Sequence, residues 1–89
     1  MPNKPVCAVV GIGPGNGAAL ARRFSREGYA VALLARRTEL SAKLAAELTD
    51  ARAYACDVGD AASVAAAFAA IRTEMGTVDI VAYNAGSGA

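Results

Sequence analysis

The chain has 89 residues, 55% of them hydrophobic, and its nine basic and eight acidic side chains leave a net charge of +1. This length bounds it to one small domain, over residues 1–89, with a thin core. The charge balance gives no reason to expect nucleic acid or an anionic membrane as a partner. No apolar run reaches the about 20 residues that span a bilayer. Residues 1–5 lack the apolar stretch of a signal peptide, so we expect a cytoplasmic protein.

The first third of the chain predicts a strand, a helix and a second strand. Residues 6–10 are a short continuous apolar run, as in a strand buried on both faces. Residues 15–27 have the pattern of a helix, and Gly28 stands where a helix stop belongs. The apolar face of this helix consists of Leu20, Ala21 and Phe24. Residues 29–35 predict the second strand.

The middle of the chain predicts a second helix and a third strand. Thr38 is in position to cap this helix. Three leucines spaced by four residues predict its buried stripe, Leu40, Leu44 and Leu48. Residues 51–58 hold a weaker strand pattern.

The last third predicts a helix over residues 60–75, stopped by Gly76, and a strand over residues 78–86 that runs into a glycine turn. The apolar face of this helix consists of Val64, Phe68, Ile71 and Met75.

Two cysteines and the absence of histidine limit the chemistry of this sequence. Cys7 and Cys56 each fall within a predicted strand, where a free cysteine is usually a small buried apolar residue. Without histidine or a closely spaced cysteine pair, we expect no metal site. Every Ser-His or Cys-His catalytic arrangement within these residues is excluded as well.

The alternation of strands and helices predicts an α/β fold, a Rossmann-type doubly wound parallel sheet with strand order 3-2-1-4. Each crossover should be right-handed, and a ligand should bind at the carboxyl ends of the strands beside strand 1. The sequence stops just after strand 4, which is then left as an apolar edge. We therefore expect a domain truncated after strand 4, and an exposed strand edge through which homo-oligomers can form.

Four glycines, at positions 11, 13, 15 and 17, follow the first strand. They do not form a P-loop, which needs Lys and Ser or Thr after its last glycine, and Asn16 breaks the G-x-G-x-x-G pattern. Gly11, Gly15 and Gly17 fit G-x-x-x-G-x-G instead. Such a loop lets the backbone approach a pyrophosphate at the positive N-terminus of the following helix. The alternative is a tight strand-to-helix turn that binds no ligand.

Four motifs in this order resemble those of the short-chain dehydrogenase/reductase family. They are VVGIGPGNG at residues 9–17, LLARR at 33–37, CDV at 56–58 and NAG at 84–86. The resemblance covers the whole chain. Two positions depart from the family pattern: Val10 replaces the usual threonine before the first glycine, and Tyr83 replaces the first asparagine of the family's NNAG element.

The resemblance implies a dinucleotide site along the carboxyl edge of the sheet. Its glycine loop consists of Gly11, Ile12, Gly13, Pro14, Gly15, Asn16 and Gly17. The ends of the third and fourth strands contribute Asp57, Val58, Asn84, Ala85 and Gly86. In the family the aspartate and the neighbouring backbone contact the adenine ring, whereas the asparagine mainly braces the sheet. The alternative for Asp57 is a cap on the third helix, and Asp79 is expected to support strand 4.

The end of the second strand should select the cofactor. NAD-dependent members carry an acidic residue there for the ribose hydroxyls, but this sequence has Ala35 followed by Arg36 and Arg37. Because a guanidinium can hold a 2′-phosphate, the resemblance implies NADP(H) rather than NAD(H). The alternative is that both arginines only line a solvated helix start. Pro14 stands where many NADP-dependent members have a second basic residue.

The family's acid–base residues are a serine and a Tyr-x-x-x-Lys segment, and no tyrosine of this chain is followed four residues later by lysine. We therefore expect no catalytic residue within these 89 residues. The favoured interpretation is the NADP(H)-binding portion of an oxidoreductase that transfers hydride between a nicotinamide cofactor and a carbonyl or alcohol substrate. The alternatives are a stand-alone, non-catalytic nucleotide-binding module and a scaffold fragment that pairs through its edge strand.

Overall fold

The computed structural model describes residues 4–11 and 16–84, which form one parallel sheet with helices on both faces. The strands are β1 (Val6–Val10), β2 (Ala30–Ala35), β3 (Ala51–Ala55) and β4 (Val78–Tyr83). The helices are α1 (Asn16–Arg26), α2 (Glu39–Glu47) and α3 (Ala61–Glu74). The order across the sheet is β3-β2-β1-β4, so the predicted fold class and strand order are confirmed.

Burial on both faces of β1 organises the core. All five residues of β1 are buried, and parallel pairing sets Val6 beside Ala30 on β2 and Val10 beside Tyr83 on β4. Alternate side chains of a strand point to opposite faces. Cys7 and Val9 accordingly pack on the side of α1 and α2, whereas Val6, Ala8 and Val10 pack on the side of α3. This explains why the β1 sequence is apolar at every position.

The expected helix stops and the burial of both cysteines are confirmed, although Cys56 lies just after β3 rather than within a strand, because β3 ends at Ala55 and not at residue 58. Gly28 and Gly76 follow α1 and α3 with φ angles of 98° and 113°, a left-handed conformation that favours glycine. Cys7 and Cys56 are both buried free thiols, and burial raises the pKa of Cys7 to about 11. Among the described residues, no helix is long and apolar enough to cross a membrane. The cytoplasmic location stays a prediction.

The buried face of α2 differs from the predicted leucine stripe. Leu44 is buried and Leu48 packs partly against the core, but Leu40 is 39% exposed and Ser41 is fully buried in its place. At about 100° per residue, the centre of the face formed by Ser41, Leu44, Ala45 and Leu48 lies about 90° from Leu40. Thr38 occupies the cap position, as predicted, but its side chain makes no capping hydrogen bond.

Asp79 supports the pairing of β4 with β1, as expected. The register shifts between the pairs Val6–Val78 and Cys7–Ile80, which leaves Asp79 as an extra residue in β4. Its carboxylate Oδ2 accepts the backbone N–H of Val6 at 2.9 Å. The side chain therefore satisfies a donor at the start of β1.

The hydroxyl of Ser41 generates a stability prediction. Its Oγ is buried and has no hydrogen-bond partner among the described residues. A buried polar group without a partner is destabilising, so Ser41→Ala should raise the free energy of unfolding. We expect a gain of about 1 kcal/mol in urea denaturation, beyond any gain of the control Ser25→Ala. The control is another helical serine, half-buried on α1. Equal gains for the two variants would contradict an unsatisfied hydroxyl at Ser41.

Candidate functional site

A cleft of about 510 Å³ lies at the carboxyl ends of β1, β2 and β3. Its lining residues are Gly11, Leu34, Ala35, Arg36, Arg37, Cys56, Asp57, Val58 and Gly59. This is the position at which open α/β sheets bind ligands, because the turns after neighbouring parallel strands meet there. The structure thus brings together five of the predicted site residues, which come from three separate motifs: Gly11, Arg36, Arg37, Asp57 and Val58.

The turn after β1 forms one wall of the cleft. Gly11 adopts a φ of 94°, and its N–H donates to the carbonyl of Leu34 at 2.8 Å, which ties the turn to the end of β2. Further along, Asn16 begins α1 as an exposed residue and Gly17 is buried, consistent with a close approach of this helix to the sheet. The other glycine-loop residues lie outside the described part of the chain: Ile12, Gly13, Pro14 and Gly15.

The end of β2 supplies the positive charge of the cleft. Ala35 stands at the end of the strand, and its carbonyl accepts the N–H of Cys56 at 2.9 Å. Arg36 and Arg37 follow with exposed side chains. Arg37 Nε lies 3.8 Å from Glu39 Oε1, whereas Arg36 forms no ion pair with any residue that the structure describes. Two arginines therefore line a cleft whose β2 wall carries no carboxylate at position 35.

Asp57 closes the turn after β3 rather than capping α3. Its Oδ1 accepts the N–H of Gly59 at 3.0 Å, and its own N–H donates to Ser63 Oγ at 2.9 Å. The cap of α3 is Asp60, whose carboxylate accepts the N–H groups of Ala62 at 3.0 Å and Ser63 at 3.4 Å. The alternative role of Asp57 as the helix cap is therefore wrong, because residue 60 directly precedes the helix and takes the extended cap conformation.

The end of β4 braces the sheet beside the cleft. The N–H of Asn84 donates to the carbonyl of Val10 at 2.7 Å, and its Nδ2 lies 3.5 Å from the carbonyl of Gly11. These contacts agree with a bracing role for Asn84. Ala85 and Gly86, the next two predicted site residues, lie outside the described part of the chain.

Comparison with known proteins now identifies the family. The family model described as short chain dehydrogenase matches residues 5–89. The chain belongs to the short-chain dehydrogenase family. D-threitol dehydrogenase of Mycolicibacterium smegmatis is 40% identical over 85 residues, which cover 91% of this chain and 33% of that protein.

Solved structures of other short-chain dehydrogenases share the fold. L-sorbose reductase from Gluconobacter frateurii, complexed with NADPH and L-sorbose, matches with a TM-score of 0.88 at 29% identity, over 98% of this chain and 35% of that chain. The 3-ketoacyl-(acyl-carrier-protein) reductase from Brucella melitensis, complexed with NADH, matches with a TM-score of 0.83 at 34% identity, over 89% of this chain and 33% of that chain. The chain therefore spans about a third of the length of the relatives that it matches.

The tyrosines of this short-chain dehydrogenase chain lie in three different settings. Tyr29 packs edge-on against Phe24 with ring centroids 5.2 Å apart. Tyr54 donates its hydroxyl to Glu74 Oε1 at 2.7 Å, and burial together with this hydrogen bond raises its pKa above the usual range. Tyr83 is 65% exposed at the end of β4. No lysine follows any of them at the family spacing, so we assign none of them a proton-transfer role.

Cys56 also lines the cleft, although it is not among the site residues predicted from the sequence. Burial raises the pKa of its thiol, the adjacent Asp57 carboxylate raises it further, and a hydrogen bond with Ser63 lowers it. The net effect is a raised pKa, so the Cys56 thiol is neutral at pH 7 and forms an apolar part of the cleft wall. Its position directly before Asp57, within the CDV motif, was the signal that could have placed it here.

Asp60 generates a second stability prediction. Asp60→Ala removes an acceptor for two N–H groups at the start of α3 and should cost about 1 kcal/mol of unfolding free energy. Asp60→Asn, which keeps an acceptor oxygen, should stay close to the wild type. Urea denaturation of both variants measures the difference. A larger loss for Asp57→Ala than for Asp60→Ala would contradict the assignment of the cap.

Proposed function

We propose that this chain is the NADP(H)-binding portion of a short-chain oxidoreductase that transfers hydride between a nicotinamide cofactor and a carbonyl or alcohol substrate. The observation that carries the proposal is the pair Arg36 and Arg37 at the end of β2, in a cleft whose wall has Ala35 where an NAD-binding chain has a carboxylate.

The residues of the cleft fit such a cofactor. Its volume of about 510 Å³ is within the usual range for small-molecule sites. Val58, 44% exposed at the rim, offers an apolar contact for a flat ring, and Asp57 is already held in place by its turn. The helix that follows the glycine loop begins at Asn16, so its N-terminal N–H groups and positive dipole end favour a phosphate beside this wall.

The choice between NADP(H) and NAD(H) is proposed from the charges of the cleft. The similar structures include one complex with NADPH and one with NADH, so the shared fold accommodates either cofactor. Arg36 is free of ion pairs within the described residues, and a phosphate held by an arginine fork gains two charge-assisted hydrogen bonds. A 2′-phosphate therefore has a partner here, whereas a free ribose hydroxyl lacks its usual carboxylate.

Within these 89 residues we assign cofactor binding and no acid–base step. The nicotinamide, when bound, supplies the hydride chemistry. The role of this chain is to hold the adenosine end through the walls that Arg36, Asp57 and Val58 provide. Hydride transfer to a carbonyl or alcohol substrate is proposed only for a protein as long as the relatives, of which this chain spans about a third.

The cofactor proposal predicts a selective loss on removing one arginine. Arg36→Ala should weaken NADP(H) binding by about 1.5–3 kcal/mol, the range for hydrogen bonds to charged groups, and leave NAD(H) binding nearly unchanged. The matched control is Arg26→Ala, which removes the same charge from the last turn of α1. Calorimetric titration with both cofactors measures the effect, and equal losses for the two cofactors would reject the 2′-phosphate role.

We also propose that copies of this chain associate through the edge of β4. The N–H of Asn84 points to β1, and successive residues of a strand present their backbone groups to alternate sides. The backbone groups of Val81 and Tyr83 therefore point away from the sheet. Val81 and Tyr83 are 53% and 65% exposed, so an apolar strip accompanies this edge, which no other strand of the described residues pairs with.

Sedimentation at several protein concentrations tests this association. The weight-average mass should rise with concentration in the wild type. Val81→Lys should suppress the rise, because a charge on an edge strand opposes edge pairing. Leu40→Lys is the control, since it places the same charge on an exposed apolar position of α2 away from the edge. A wild-type monomer at every concentration would refute the edge as an association surface.

A further inference from the structure

The two arginines of the cleft differ in their charge environment. Arg36 forms no ion pair with any described residue, but Arg37 Nε lies 3.8 Å from Oε1 of Glu39, the first residue of α2. Both members of that pair are exposed, with 84% of the Arg37 side chain and 75% of the Glu39 side chain open to solvent. One guanidinium is therefore available to a ligand, and the other is shared with a carboxylate of the chain itself.

This sharing has a direct consequence for an anionic ligand. A phosphate that approaches Arg37 must displace Glu39 or bind beside it, and a carboxylate close to a phosphate repels it. The ion pair is exposed, so separating it costs little. Glu39 therefore weakens the contact of Arg37 with the phosphate without blocking it, and the contact of Arg36 stays intact.

We infer that Glu39 is a specificity-tuning residue, which acts through Arg37 to reduce the preference of the cleft for a 2′-phosphorylated nucleotide. The inference rests on the proposed NADP(H) site and deepens it. Glu39 is a positioning residue, because it touches the arginine and is assigned no contact with the ligand. Glu39→Gln should release Arg37 toward the phosphate and raise the affinity for NADP⁺, with no effect on NAD⁺.

Calorimetric titration of the 89-residue chain with NADP⁺ and with NAD⁺ tests the inference. Exposed ion pairs are typically worth 0.2–1 kcal/mol, so Glu39→Gln should tighten NADP⁺ binding by about 1.4- to fivefold. The matched control is Glu47→Gln, which makes the same charge change at the opposite end of α2, where Glu47 pairs with Arg22 at 3.2 Å. The control should leave the affinities for both cofactors unchanged.

A double-mutant cycle separates an effect through Arg37 from a structural effect. In the Arg37→Ala background, Glu39→Gln should lose most of its gain in NADP⁺ affinity, because the arginine that it releases is gone. The gain should also shrink as salt is added, since both charges are exposed. A full gain without Arg37, or an equal gain from Glu47→Gln, would overturn the inference.

The two proposals fail in different ways. If the wild type prefers NADP⁺ and Arg36→Ala removes that preference, but Glu39→Gln changes nothing, the role of Glu39 is wrong and the NADP(H) site stands. If Glu39→Gln tightens both cofactors equally, the role of Glu39 is also wrong. If the wild type binds neither cofactor, both proposals are wrong together.

Discussion

The burial of β1 on both faces is the constraint on which the rest of this structure depends. Its residues are between 0% and 4% exposed, so each needs an apolar neighbour and each backbone group needs a partner inside the sheet. Helices on both faces supply the apolar neighbours, and strands on both sides supply the hydrogen-bond partners of the backbone. Because β1 ends in the middle of the sheet, the chain must leave its buried environment there by a sharp turn, which Gly11 makes with a φ of 94°. That turn opens the cleft.

The polar groups around this carboxyl edge divide into those that the fold uses and those that it does not. Asp57, Asp60 and Asn84 each bind backbone groups of neighbouring turns or strands, and Asp79 does the same at the amino end of β1. No such contact within the described residues accounts for Arg36. An exposed arginine without a partner is ordinary on a protein surface, so the proposed 2′-phosphate contact of Arg36 is supported by its place in the lining of the cleft, directly after Ala35. The proposed cofactor choice therefore depends more on Arg36 than on the carboxylates, which already bind backbone groups of the fold.

The sequence predicted the strands and the stops at Gly28 and Gly76, because burial patterns and left-handed glycines are local signals. It predicted the strand order because the alternation of strands and helices is typical of the dinucleotide-binding arrangement. The predicted buried face of α2 was wrong, because Leu40 and Leu44 fit a spacing of four residues equally well. Only packing against the sheet decides which face of the helix is buried. The sequence offered Asp57 as the alternative cap of α3 and did not consider Asp60, whose extended cap conformation depends on the whole turn. The pairing of Arg37 with Glu39 was not foreseen, because two exposed side chains two residues apart carry no pattern that distinguishes contact from separation.

The uneven cover of the two sheet faces follows from chain order rather than from local sequence. The crossovers from β1 to β2 and from β2 to β3 move in one direction across the sheet, so crossovers of the same hand place α1 and α2 on the same face. The crossover from β3 to β4 returns past β1, so α3 lies on the opposite face. That single helix covers Val10 and Val78 but leaves Val81 and Tyr83 exposed beside an apolar groove of about 200 Å³. Ile80 and Ala82 on the other face are half-buried. The strand β4 is therefore apolar on both faces, but near its end only one of the two faces is covered by the described residues. The α3 face of β4 is thus an exposed apolar surface, and a further protein contact that buried it would stabilise this sheet.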